Sequence, residues 1–444
     1  MRAIRTLSAI AAGAALAVTV AACTSSGSTT GAASIGSSSS AASASGNASG
    51  ASASGTPLLP TSPPATHPAG PVVTITPGSA ANADPSKGIT VTAAGGTLRS
   101  VNVSTAGDPV TGTYSADHAS WHSTWALNVS RSYTVTATAV TGGGVTTTKT
   151  STFRTLTPAS SFSTNIFEGY EQSYGVGMPI ILTFSAPVQD KAAVERSIEL
   201  QTSRPVIGSW YWDGNETLDF RPRDYWPAHT TVSFTGHFDG VESAPGVYGY
   251  HTLTQTFDIG DSVIAVASTK DHKTQIYING HLKYDWSISS GKPGDDTPDG
   301  SYLTIEKENP VRMIGPGYDL LVPWSVRFTF SGDYYHDAYW SVGEQGFENV
   351  SHGCVNLAPA DAETYYQLAV PGDPITIQNS PRSGAWDNGW TEWFLSWPQY
   401  LKGSATGEAV VANASGSQFV NPSTLPADTA KAPLQTSAPS NAIA

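Results

Sequence analysis

Between residues 72 and 157, apolar and polar side chains alternate in short runs broken by glycine, aspartate and asparagine. GITVTAAGG, TLRSVNVS and YTVTATAV each keep a period of two, the pattern of a strand with one buried face. The turn TGGG separates YTVTATAV from VTTTKTSTFRTL, so this pair predicts a hairpin. Residues 158–260 continue with MPIILTFSAPV, GSWYWDGNETLDFRPRDYW and TTVSFTGHF, and DKAAVERSIEL is a short helical candidate among them. From Asp261 the strands are tightly connected: SVIAVAS, TQIYING, HLKYDWSIS, GSYLTIEK and SVRFTFSG. APADAETYYQLAV predicts a helix, with Pro359 near its start and Pro371-Gly372 past its end. DPITIQN closes the pattern as a last strand.

The first two stretches read as Ig-like β-sandwiches, 72–157 and 158–260, divided at the loop-type residues Thr157-Pro158 and ending at Gly260. Neither carries the cysteine pair of antibody domains. Residues 261–380 predict a third, mostly β unit of catalytic type. AWDNGWTEWFLSWPQYL, residues 385–401, reads as an amphipathic cap on that unit (381–406) rather than a sugar-binding face.

The ends have a different composition. MRAIR is followed by LSAIAAGAALAVTVAA and then Cys23, an export signal over residues 1–22 that is too short for a comfortable membrane span. VAAC resembles a bacterial lipobox, which would diacylate Cys23; the alternative is an ordinary signal cut after Ala22. From Thr24 to Ala83 there is no Asp, Glu, Lys or Arg. Such a segment cannot bury enough apolar area to offset its ordering entropy, so residues 23–71 predict a disordered tether. Its r.m.s. span as coil is roughly 35–40 Å. Residues 407–444 read as a disordered tail. The chain has 22 Lys+Arg against 35 Asp+Glu and no basic stripe, which argues against nucleic acid as a partner.

Candidate chemistry sits in SHGCVNL, 351–357. If the segment is extended, His352, Cys354 and Asn356 project to one face. A nucleophilic thiol needs a base or cation beside it, because a free thiol near pKa 8.5 is mostly protonated. Gly353 would let the amides of 353 and 354 face a developing oxyanion. The bland reading is a buried structural cysteine. His336, in SGDYYHDAYWSVGEQG, taken alone is a surface-loop histidine. Asp295, Thr297, Asp299, Gly300 and Glu306 fall at EF-hand spacing, but Pro298 and flanking strands favour a hairpin over calcium.

Together, His336, SVGEQG and SHGCVNL resemble the signature of the L,D-transpeptidases, with their YkuD-type catalytic domain. SSGKPGDDTPDGSYLTI (289–305) resembles the strand pair upstream of it, and two Ig-like domains before the catalytic one resemble the actinobacterial and mycobacterial members. The resemblance implies that Cys354 is the nucleophile and His336 its base, oriented by the main-chain carbonyl of Asp337. It implies oxyanion amides from His352, Gly353 and Cys354, and a supporting role for Asn356. Tyr318 matches a pocket tyrosine on a mobile flap, and Trp340 and Ser351 join the substrate-binding set. No cofactor or metal is called for.

The function so implied is 3→3 crosslinking of peptidoglycan stems by a lipid-anchored enzyme on the outer face of the membrane, open to carbapenem-type β-lactams. The alternatives are an L,D-carboxypeptidase and a non-catalytic wall-binding Ig-like protein; a sortase fits SHGC less well.

Overall fold

The computed structural model describes residues 69–315 and 317–426. The signal segment, Cys23 and nearly all of the expected tether lie outside these residues, as does the tail from 427.

The first sandwich packs two sheets around Val91, Trp121, Tyr133 and Val135. One sheet runs Val72–Thr76, Thr90–Ala94, Ser120–Ser123, Gly112–Tyr114; the other runs Thr97–Thr105, Ser132–Val140, Thr146–Arg154. The TGGG hairpin is present, pairing Val140 with Thr146. In the Ser132–Val140 strand, Tyr133, Val135, Ala137 and Ala139 are buried and their neighbours are not, because alternate side chains face opposite sides of a sheet.

The second sandwich sets a sheet containing Ile180–Phe184, Thr217–Pro222 and Val206–Asp213 against one containing Ile198–Thr202, Thr231–Gly236 and Leu253–Ile259. The helix in DKAAVERSIEL is shorter than its apolar content predicts, at Lys191–Arg196. The Asp190 side chain caps its start by accepting from the Ala193 amide. Ser197 ends it, and Ile198 and Leu200 turn inward as strand residues in the sandwich core.

Two expectations about the C-terminus are corrected. Residues 407–426, expected to belong to a disordered tail, carry a hairpin, Ala409–Asn413 with Gly416–Val420. Its first strand pairs with Val206–Gly208, so Val410 and Ala412 fill the second sandwich. The small, low-charge composition that resembled disorder is equally compatible with an edge hairpin. The Trp-rich segment is likewise more than a cap on the catalytic unit. Trp390 and Trp393 belong to the core of the second sandwich, whereas Phe394 packs on Tyr302 in the catalytic core. Trp393 Nε1 donates to the Gly177 carbonyl at 2.8 Å, and the buried Arg221 guanidinium lies 4.4 Å from the Trp393 ring and 4.5 Å from Tyr400. The segment therefore joins the two domains.

The catalytic domain has a five-stranded sheet in the order His281–Ser287, Lys273–Ile278, Val263–Ser268, Pro374–Gln378, Gly300–Leu303. A four-stranded sheet runs Glu306–Glu308, Ser325–Arg327, Tyr334–Asp337, Val355–Leu357. Helix Pro359–Leu368 follows the last of these, with proline in its first turn as expected, and buries Ala362 and Tyr365. A separate hairpin, Val311–Gly315 with Tyr318–Val322, forms the flap.

Candidate active site

The site forms where the Tyr334–Asp337 strand pairs in parallel with Val355–Leu357, putting His336 opposite Asn356. Continuing that register by one residue brings Cys354 beside Tyr334. Alternation gives Tyr334, His336 and Asn356 a common side of the sheet, and Cys354, just before the strand, packs against Tyr334.

His336 is buried, and its Nδ1 donates to the carbonyl of Asp337 at 2.7 Å. That bond orients the ring and leaves Nε2 as the basic nitrogen. Burial pushes the imidazole down to about 4, with the Asp337 carbonyl acting in the opposite direction. Burial also pushes the Cys354 thiol up to about 12; the charge of Asp333 acts the same way, and the main-chain amide of Tyr334 opposes both. At neutral pH the resting pair is therefore uncharged: a thiol and a neutral imidazole. The sulphur packs beneath the flap among Val311, Val322, Tyr334 and Met313, and contacts the Gly332 carbonyl at 3.9 Å.

SHGC is a bend, which corrects the extended reading: the strand begins only at Val355. Ser351 Oγ donates to the Cys354 carbonyl at 2.6 Å and accepts from the Gly353 amide at 3.1 Å. This closes a serine turn. The Gly353 amide is thus engaged by Ser351 rather than standing ready for an oxyanion. Gly353 has φ +128°, and a Cβ there would lie 2.4 Å from Asp333 Oδ1, so both conformation and space require glycine. As a result His352 turns outward, away from the buried face of Asn356. Its Nε2 accepts from Lys292 Nζ at 2.7 Å, and Tyr318 from the flap lies over its ring, 5.1 Å between centroids.

Asn356 Nδ2 donates to Ser341 Oγ at 2.9 Å, tying the strand to the Tyr339–Ser341 turn. That turn carries the half-exposed Trp340, whose ring stacks at 5.9 Å on His336. Asp337 contributes its carbonyl, while its buried side chain is held above the usual carboxylate range by burial.

Three supporting residues carry no role in the sequence reading. Thr297, weighed there only as a calcium-loop position, donates through Oγ1 to the Gly353 carbonyl at 2.7 Å and accepts from the Gly291 amide. Glu306 of the same spacing is paired with Arg327 instead. Asn349 accepts from the Ser290 amide and hydroxyl and donates to the Thr269 carbonyl. Asp333 belongs to no motif in the sequence. The only sequence signal among these is Thr297's place in the quoted TPDG run.

A family model for the L,D-transpeptidase catalytic domain matches residues 262–377, and one for a bacterial Ig domain matches 80–242, running across both sandwiches. L,D-transpeptidase 2 of Mycobacterium tuberculosis is 32% identical over 329 residues, covering 71% of this chain and 80% of the relative. L,D-transpeptidase 1 of the same species is 39% identical over 213 residues, covering 46% and 79%. Among solved structures, an L,D-transpeptidase in complex with imipenem is 36% identical, covers 50% of this chain and 100% of its own, and superposes with a TM-score of 0.42. Ig-like domains ahead of a YkuD domain define an acyltransferase of the L,D-transpeptidase class. The chain belongs to the L,D-transpeptidase family.

Proposed function

We propose that the protein makes 3→3 peptidoglycan crosslinks through a thioester on Cys354. His336 Nε2 takes the thiol proton as sulphur attacks the carbonyl of the third stem residue, a diamino acid. The bond to the terminal D-Ala nitrogen breaks, and the imidazolium returns its proton to that leaving amine. The side-chain amine of a second stem then attacks the thioester, His336 takes the amine's proton, and sulphur leaves to be reprotonated. With the Gly353 amide held by Ser351, the main-chain amide of Cys354 itself stabilises the oxyanion of each tetrahedral intermediate. Tyr318 and Trp340 bracket the donor, one from the flap and one from the His336 side.

The observation that carries this reading is the 2.7 Å bond from His336 Nδ1 to the Asp337 carbonyl, on a strand in register with the cysteine segment. It orients a neutral base with Nε2 available, which is what thiol activation requires.

With a disaccharide-tetrapeptide as the sole substrate, mass spectrometry should find a dimer of two stems less one D-Ala, linked 3→3. Tripeptide and free D-Ala alone would identify a carboxypeptidase; no D-Ala release would leave a binding protein. A carbapenem should add its mass to Cys354 and not to a Cys354→Ser variant.

In the cell, the reading places the body outside the membrane on a tether lipidated at Cys23. A fatty-acid analogue should label the wild type, and Cys23→Ala should abolish the label. A freely secreted, unlabelled wild type would remove the anchor from the proposal.

A further inference from the structure

We propose that Asp333 is a positioning residue that keeps Cys354 a neutral thiol until an acyl donor is seated beside His336, withholding the nucleophile from other electrophiles. This rests on the reading of Cys354 as the nucleophile.

Asp333 lies in the turn leading into the His336 strand and is 7% exposed. Its Oδ2 accepts from Thr329 Oγ1 at 2.7 Å and Ser331 Oγ at 3.1 Å, and its amide donates back to Thr329 Oγ1 at 2.8 Å. These bonds pin the carboxylate. Its Oδ1 faces the residue before the nucleophile, 2.4 Å from where a Gly353 Cβ would stand. The thiol contacts the carbonyl of Gly332, the residue next to Asp333. A carbonyl acceptor thus contacts the sulphur and a carboxylate faces the adjoining residue, close enough for its charge to act on the thiol, and both favour the proton remaining on it.

The other groups around the thiol do not reverse this. His336 stays uncharged down to about pH 4. Tyr334 and Tyr318 are phenols raised above their ordinary range, chiefly by burial. The nearby cation, Lys292, is shared between Asp295 at 3.2 Å and His352 Nε2 at 2.7 Å. A cysteine enzyme that relied on a standing thiolate would place a cation or helix N-terminus where this protein places a carboxylate. The arrangement fits a nucleophile made only in the transition state, when His336 takes the proton from a thiol already in contact with its donor.

The test is alkylation of Cys354 by iodoacetamide as a function of pH, on the full chain and its Asp333→Asn and Asp333→Glu variants. The wild-type midpoint should lie well above the value near 8.5 of a free cysteine. Asp333→Asn should lower the midpoint by about one unit, a roughly tenfold gain in alkylation rate below it, and Asp333→Glu should restore the wild-type profile. A wild-type midpoint at or below 8.5 overturns the proposal without any variant, which covers the case of a variant that does not fold. An Asp333→Asn profile superimposed on the wild type, or moved upward, also overturns it. Alkylation reads the thiol whether or not the protein acylates. Failure of the nucleophile reading would show separately, as a wild type lacking any carbapenem adduct on Cys354.

Discussion

Thr297 Oγ1 donates a 2.7 Å hydrogen bond to the carbonyl of Gly353, and the Gly291 amide donates to the same hydroxyl at 2.9 Å. One side chain thus ties the loop after the His281–Ser287 strand to the bend that presents Cys354. The bond is buried, so its loss leaves the Gly353 carbonyl without that partner. Such a loss costs about 1–3 kcal/mol. Thr297→Val should lower the unfolding free energy by that amount and slow β-lactam acylation, while Thr297→Ser should retain most of both. Chemical denaturation and stopped-flow acylation will show it. A Val variant acylating at the wild-type rate would mean that the bend holds itself.

Gly353→Ala meets two obstacles at once. A φ of +128° is strained for any residue with a Cβ, and that Cβ would collide with Asp333 Oδ1 at 2.4 Å. The expected result is a folded but destabilised protein, by at least about 2 kcal/mol, with acylation reduced beyond detection. Near-normal acylation in a well-folded Ala variant would show that the bend tolerates a different backbone.

The resting pair predicts an unusual pH profile. His336 titrates at about 4 and the thiol at about 12. Between about pH 5 and 9 neither changes protonation, so the acylation rate constant should be flat there. Inflections near 6.5 and 8.5 would instead show an imidazole and a thiol titrating at their ordinary values, unaffected by burial.

The same burial makes His336 a source of acid sensitivity. In the unfolded chain the imidazole takes a proton near 6.5, and in the folded chain only near 4. Between these values the unfolded state holds more protons, so the stabilisation present above 6.5 is lost as pH falls toward 4. A neutral His336→Gln variant should lose less stability than the wild type between pH 7 and 4.5, measured by urea denaturation. Equal losses would remove His336 as the cause.

The C-terminal segment should behave as a structural bolt. Glu195, fully buried at the end of its helix, accepts from Trp212 Nε1 and from Ser404, Ala405 and Thr406 of that segment. Truncation after Lys402 removes these partners and the 409–420 hairpin, so it should lower the melting temperature of the second sandwich while the Trp390–Phe394 junction with the catalytic domain stays in place. Trp393→Ala should cost about 3–5 kcal/mol. An unshifted transition after truncation would show that the second sandwich does not depend on this segment.

Much of this architecture is legible in the chain itself. The period of two in YTVTATAV, the TGGG turn and the proline-started helix are local signals, because turn chemistry and side-chain alternation act within a few residues. Cys354, His336 and the SHGC run are legible as chemistry because few residue types can supply a nucleophile and a base. Other features arise only when distant segments meet. The bend at Ser351 is set by a side chain returning to its own main chain and by a carboxylate 18 residues earlier in sequence, so nothing within SHGC itself distinguishes it from an extended segment. Trp390 and Trp393 are apolar wherever they pack; only the second sandwich, more than 160 residues upstream, determines that they join two domains. The same holds for the 409–420 hairpin, whose composition resembles a tail until the edge at Val206–Gly208 offers it partners. The protonation states of the site also belong to the tertiary structure, since burial beneath the flap and the placement of Asp333 set them, and neither has a signature along the chain.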